Sequence, residues 1–201
     1  MEAYYPLERT WTIWEMWSQN PQNQENYKEN MQPVGDFECL HSFWQHWNYL
    51  PHAVPSDLFY DLKSNQQPMV YPEQISVDAV SVFETGVIPA WEDPVNKTGC
   101  TVSVRRQVQP EKIKEVWDRL VMSIIGESLP FSEQVVGCRV VSKQKFTKFE
   151  VWLKLTCAQD DFQVIVSSVV DALNASVGEV FRRSEVSIND HIRGDRVALR
   201  Y

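Results

Sequence analysis

Glycine is scarce in this 201-residue chain: seven residues, none arranged as G-x-G-x-x-G or G-x-x-x-x-G-K, so the backbone cradles for dinucleotides and nucleoside triphosphates are missing. Gly126-Glu127-Ser128 lacks the closing glycine of a nucleophile elbow. Cysteine is sparser still. Cys39, Cys100, Cys138 and Cys157 form no C-x-x-C pair and no disulfide-dense pattern, which points to reduced thiols and a cytoplasmic or nuclear address. The histidines His41, His46, His52 and His191 show no H-E-x-x-H spacing. His41 and His46, five apart, do not share a helix face, so with Cys39 they make a poor metal site, and no metal or cofactor is expected. No apolar run approaches the roughly 18 residues of a membrane span, and Met1-Glu2-Ala3-Tyr4-Tyr5-Pro6 lacks the basic and apolar regions of a signal peptide. A membrane is not an expected partner, and the sequons at Asn96 and Asn174 are expected to go unused.

Positive charge is also short. Lys and Arg number 19 against 27 Asp and Glu, giving a net charge of -8, which argues against a protein that coats nucleic acid through its overall charge. The deficit is uneven, because residues 1–100 hold 14 acids and only 4 bases, whereas 101–201 are slightly basic. Catalytic constellations are missing too. Glu92 and Asp93 suggest an acid/base pair, but adjacent side chains usually point apart and Trp-Glu-Asp-Pro has the composition of a loop.

What the chain has in plenty is tryptophan, eight residues of it, a side chain that anchors cores and recognition surfaces. Length and hydrophobic content suit one soluble domain spanning 1–201, with a short flexible N-terminus and loops near 18–30, 51–74 and 188–196. Three segments carry helical periodicity. Asp36 is placed to cap a helix running to about Leu50, where Pro51 stops it; Pro110 opens a second that ends at Gly126; Asp160 caps a third running towards Gly178. Between them lie stretches with period-two alternation or β-branched content: 11–17, 75–84, 100–108, 135–143, 148–156, 180–188 and 196–201. Residues 135–156 form a hairpin turning at 145–148, with Phe149, Val151, Leu153 and Leu155 on one face and Lys148, Glu150, Trp152 and Lys154 on the other. The expected architecture is α+β: a curved antiparallel sheet of about seven to eight strands with three helices on its convex face.

One constellation remains: an aromatic in one loop (Tyr27), Trp91-Glu92 in another, and a basic hairpin (Lys143, Lys145, Lys148) near Trp152. At these residues the chain resembles the translation initiation factor 4E family, whose members bind the 7-methylguanosine cap of messenger RNA. The resemblance runs through Tyr5-Pro6-Leu7, Trp11-Thr12-Ile13-Trp14, Phe43-Trp44, Ile88-Pro89-Ala90-Trp91-Glu92-Asp93, Ile125-Gly126-Glu127-Ser128 and Gly137 to Trp152.

The resemblance implies the following roles. Tyr27 and Trp91 stack on the methylated base, with Trp17 as an alternative first aromatic; Glu92 reads the guanine edge; Lys143, Lys145 and Lys148 bind the triphosphate; Trp152 lies near the N7 methyl. Tyr27 stands where relatives carry Trp, and Lys143 where Arg is common, which forgoes a bidentate fork. The segment between Ile188 and Arg196 is short compared with relatives, leaving Arg193 as a cation for the first nucleotides. The resemblance also implies a partner surface on the helical side, where an initiation factor 4G-like scaffold or a 4E-binding protein lays a helix over Trp44, with Tyr5, Pro6, Leu40, Asp118, Arg119 and Met122 around it. The chain is then not an enzyme but a cap-binding translation factor. Two other readings stay open: an interaction module or regulator with weak or no cap binding, and a hydrolase using Glu92 and Asp93.

Overall fold

The computed structural model describes residues 4–17, 30–59, 77–143, 146–154, 162–174, 181–182, 185–194 and 196–197. Eight strands of the described residues form one sheet: β1 (Pro6–Trp17), β2 (Met31–Cys39), β3 (Val77–Glu84), β4 (Cys100–Arg106), β5 (Val135–Lys143), β6 (Phe146–Leu153), β7 (Val186–Asp190) and β8 (Arg196–Val197). Their order is β2-β1-β3-β5-β6-β4-β7-β8, and every pairing is antiparallel. Among the described residues four α-helices accompany it: α1 (Leu40–Tyr49), α2 (Pro55–Phe59), α3 (Pro110–Ile125) and α4 (Phe162–Asn174).

Two expectations are corrected. The sheet is an open one with β2 and β8 at its edges, not the curved sheet anticipated, and the described residues hold four α-helices where three were expected. The additional helix, α2, has five residues, too few for a periodic pattern to emerge, and lies in a Pro-bearing stretch that has the composition of a loop. Asp36 caps no helix. It lies in β2, where its Oδ1 accepts from the Thr12 hydroxyl at 2.6 Å, and α1 begins only at Leu40 behind a reciprocal capping box of Cys39 and Ser42. Pro33 is tolerated in β2 because that strand is at the edge of the described sheet and its pairing with β1 is irregular there, the register shifting between Ile13 and Trp14, opposite Gly35 and Pro33. Asp160, expected to cap the third helix, lies outside the described residues.

Strand alternation divides the two faces. Ile13, Val80, Val82, Cys138, Val140, Phe149 and Val151 point to the helices and share one core with Phe43 and Trp47 of α1, Leu58 and Phe59 of α2, Trp117 and Leu120 of α3, and Ile165 and Val169 of α4. Pro110 opens α3 and Gly126 caps it; its seven buried apolar side chains, at roughly 1.5–3 kcal/mol each, make this face a principal source of stability. Trp117 Nε1 donates to the His52 carbonyl at 2.9 Å, and His52 Nε2 meets Glu15 Oε1 at 2.5 Å, so a buried polar link joins α3, the turn after α1, and β1. On the other face, Trp14, Phe83, Val136 and Trp152 form a second cluster. Gly137 makes it possible: a Cβ there would lie 2.5 Å from the Val82 carbonyl oxygen and 2.6 Å from the Phe83 ring, which packs edge-on against Trp152 with ring centroids 5.4 Å apart.

Candidate functional site

The sheet face turned away from the helices carries a cavity of about 540 Å³, bordered by Met16 of β1, the loop Pro89–Glu92, Arg105 of β4, Arg139 and Val141 of β5, and Phe146, Lys148, Glu150 and Trp152 of β6. The registers explain why these side chains meet. Arg139 faces Glu150 and Val141 faces Lys148 across β5–β6, while Arg105 faces Lys148 across β4–β6.

The loop after β3 is held by its own polar side chains. Asp93 is buried, and its two carboxylate oxygens accept from the Ile88 and Val95 amides, each at 2.9 Å. Asn96, also buried, donates from Nδ2 to the carbonyls of Ile88 and Ala90, both at 2.9 Å. This leaves the intervening pair outside: Trp91 is 51% exposed and Glu92 is exposed, with no partner for its carboxylate among the described residues. Asp93 is therefore a structural acceptor and not the second member of an acid/base pair. The burial of Asn96 also bars the first sequon from modification in the folded chain.

His191, at the turn after β7, braces Trp91 from behind. The rings stack at 5.9 Å with 26° between planes, and His191 also lies 5.0 Å from Trp152. Its Nδ1 is 2.6 Å from the Asn96 carbonyl oxygen, an acceptor only, so Nδ1 carries the proton and the neutral ring's Nε2 accepts from the Thr101 hydroxyl at 2.6 Å. Burial pushes the imidazole pKa below its ordinary value, with the Asn96 carbonyl and nearby carboxylates opposing in part.

At the floor, Trp152 is 2% exposed and donates from Nε1 to Glu150 Oε2 at 3.0 Å. Glu150 is buried; burial alone would raise its pKa, but Arg139 and Lys148 outweigh that and hold the carboxyl below its usual range. Lys148 Nζ lies 2.5 Å from Glu150 Oε1. Arg139 bonds to Ser81 Oγ (3.2 Å) and to the Pro89 carbonyl, and its guanidinium sits 5.0 Å above the Trp152 ring. The pocket wall thus grips the Trp91 loop directly.

Of the residues expected at a cap site, Trp91, Glu92, Lys148 and Trp152 come together on this cavity. Tyr27 and Lys145 lie outside the described residues, and Lys143 is placed by backbone alone, opposite Phe146 at the end of the β5–β6 hairpin. Trp17 is on the helix side and donates to Glu15 at 2.9 Å. Arg193 is exposed in the β7–β8 turn. Arg105, Arg139, Phe146, Glu150 and His191 were not anticipated as site residues. The alternation placing Glu150 beside Lys148 and Trp152 was a usable signal for one of them, and a lone arginine within apolar Val135–Val141 was a signal for another.

On the helical side, Leu40 and Trp44 stand one turn apart on α1, with Trp44 42% and Met122 of α3 40% exposed. Tyr5 is exposed beside them, its carbonyl accepting from the Leu40 amide at 2.9 Å, and Pro6 pairs with Cys39. Arg119 is exposed. Asp118 accepts from Trp47 Nε1 at 3.0 Å and from Lys114 at 2.5 Å, tying α1 to α3.

The eukaryotic initiation factor 4E family matches residues 6–191. The initiation factor NCBP of Oryza sativa subsp. japonica is 25% identical over 156 residues, covering 75% of this chain and 57% of that protein. The chain spans less than two-thirds of the curated relatives it matches. Among solved structures, C. elegans eIF4E-3 in complex with the 4E-binding protein Mextli and cap analog aligns over 94% of both chains with a TM-score of 0.72 and 21% identity. Ascaris suum eIF4E-3 with m7G cap aligns over 94% of this chain and 92% of its own, with a TM-score of 0.71 and 20% identity. The fold is shared with both. With the family match extending from the first strand to the turn that braces Trp91, this chain belongs to the eukaryotic initiation factor 4E family.

Proposed function

We propose that the chain binds the 7-methylguanosine cap of messenger RNA in the cavity beside Trp91 and recruits a scaffold protein at Trp44. The observation that carries this reading is the pair Trp91-Glu92, presented side by side by a loop that the Asp93 carboxylate and the Asn96 amide nitrogen hold in place. N7-methylation makes guanine cationic, so an electron-rich ring gains stacking and cation–π attraction, roughly 1–3 kcal/mol per stacked contact, that plain guanine gains less of. The Glu92 carboxylate accepts from N1–H and the exocyclic amine together and offsets the positive charge. Tyr27 is the proposed second stacking ring. Family membership supports the absence of catalytic turnover, and the similar complexes with cap and with 4E-binding protein support both surfaces. The proposed compartment is the cytoplasm, with access to the nucleus, consistent with buried Cys39 and Cys138 that form no disulfide.

Quenching of tryptophan fluorescence by 7-methylguanosine triphosphate at much lower concentration than by GTP is the expected result, with Glu92→Ala abolishing the preference; equal, weak quenching by both overturns the reading. A second reading, a translational regulator working through the helical surface with little cap affinity, is favoured by one feature: Glu150 already neutralises Lys148, an expected phosphate ligand. Loss of scaffold capture in Trp44→Ala, in a protein indifferent to cap, is its signature.

A further inference from the structure

Among the described residues three cations border the cavity, and two are already committed. Arg139 is buried against Ser81, Pro89 and Glu150, and the Lys148 ammonium is held 2.5 Å from Glu150. Arg105 is different. It is exposed, no acid among the described residues pairs with it, and its guanidinium carbon rests 5.5 Å from the centroid of Phe146. Its neighbour Arg106, whose side chain alternates to the other face, is paired with Glu185 at 3.7 Å. Its register partner in β6 is Lys148, whose ammonium Glu150 already holds, so the residue facing Arg105 across the pair brings it no counter-charge. An anion on this face of the sheet supplies one.

We propose that Arg105, braced on Phe146, is the principal phosphate-binding cation among the described residues of this cavity, taking over the part that Lys148 has surrendered to Glu150. The inference rests on the cap reading and names the residue that grips the triphosphate. Stacking on Phe146 restrains the guanidinium plane while leaving its edge donors available, which suits bidentate contact with a phosphate. Lys148, sharing its charge with a buried carboxylate, contributes less.

The test is a fluorescence titration with 7-methylguanosine mono-, di- and triphosphate, alongside GMP and GTP, on wild type, Arg105→Ala, Arg105→Lys and Lys148→Ala, with thermal melts to confirm folding. Arg105→Ala is expected to weaken triphosphate binding about tenfold and monophosphate binding less than about twofold, with Arg105→Lys intermediate and Lys148→Ala weaker in effect than Arg105→Ala. Equal losses across the phosphate series, or a larger effect from Lys148→Ala, overturn the proposal while leaving the cap reading intact. If wild type prefers no methylated ligand, the cap reading falls, and Arg105 is judged on GTP against GMP: a gap narrowed by Arg105→Ala upholds its role and an unchanged gap refutes it. Absence of binding to any of the five ligands overturns both.

Discussion

Replacing Asp93 by alanine tests whether the loop that presents Trp91 and Glu92 is held by its own side chains. The Asp93 carboxylate accepts from two backbone amides, Ile88 and Val95, each at 2.9 Å, and the residue is 8% exposed. Hydrogen bonds to a charged acceptor are worth roughly 1.5–3 kcal/mol each, so the full loss is about 3–6 kcal/mol. The loop borders solvent, so the freed amides reach water in part, and about 2–4 kcal/mol is the expected destabilisation. Asp93→Asn keeps one acceptor oxygen but turns an amide nitrogen towards the other N–H, so it should lose an intermediate amount. Urea unfolding measures the stability, and titration with 7-methylguanosine triphosphate measures the site; affinity should fall in the same rank order, because Trp91 loses its defined position. Were Arg139 and His191 sufficient to hold the loop, Asp93→Ala would stay within about 0.5 kcal/mol of wild type with unchanged affinity, and the reasoning would be refuted.

Two further perturbations report on pH. Burial keeps the folded-state pKa of His191 below the free value of 6.5, so its contribution to stability is complete above about that pH and is lost as pH falls below it; the melting temperature of wild type should drop between pH 7 and 5.5, and that of His191→Gln should drop less over the same range. Glu150 is held below its ordinary 4.5, so its contribution is present above about that pH and fades as the solution is acidified further; Glu150→Gln should lower stability at pH 7, flatten the acid limb of the unfolding curve below pH 4.5, and raise triphosphate affinity by releasing Lys148.

Legibility in the sequence followed the scale of the interaction. The limits of α3 were readable because Pro110 and Gly126 act within a turn of where they stand, and the faces of the β5–β6 hairpin because alternation is a local rule. β2 was missed because Pro33 and Gly35 lower strand propensity; the strand exists because β1 offers it a register from Met16 to Pro6, a tertiary fact. Trp91 and Glu92 were identified through a family resemblance, and the loop geometry supplies their physical reason. Arg139 and Glu150 escaped notice as site residues because a charge on a strand is most simply a solvated one, and only pairing across β5–β6 makes burial of both tolerable. His191 had no sequence signal at all. It lies 95 residues from the Asn96 carbonyl that fixes its tautomer.

The net charge of -8 and the chemistry of the cavity are reconciled by this layout. An acidic chain binds an anion only where the sheet gathers its bases, and among the described residues the three cations on the cavity wall all come from β4, β5 and β6, in the half of the sequence where bases are not outnumbered. Glu92, contributed by the acidic half, borders the same cavity from the loop after β3. A ligand with a cationic base at one end and a polyphosphate at the other meets matching charge at both. Plain GTP meets the same phosphate-binding wall but offers Trp91 and Glu92 a neutral base. On the proposed cap reading, discrimination comes from the loop and gross affinity from the strands, so substitutions at Glu92 should change the ratio between methylated and unmethylated ligands, while those at Arg105 should move both together.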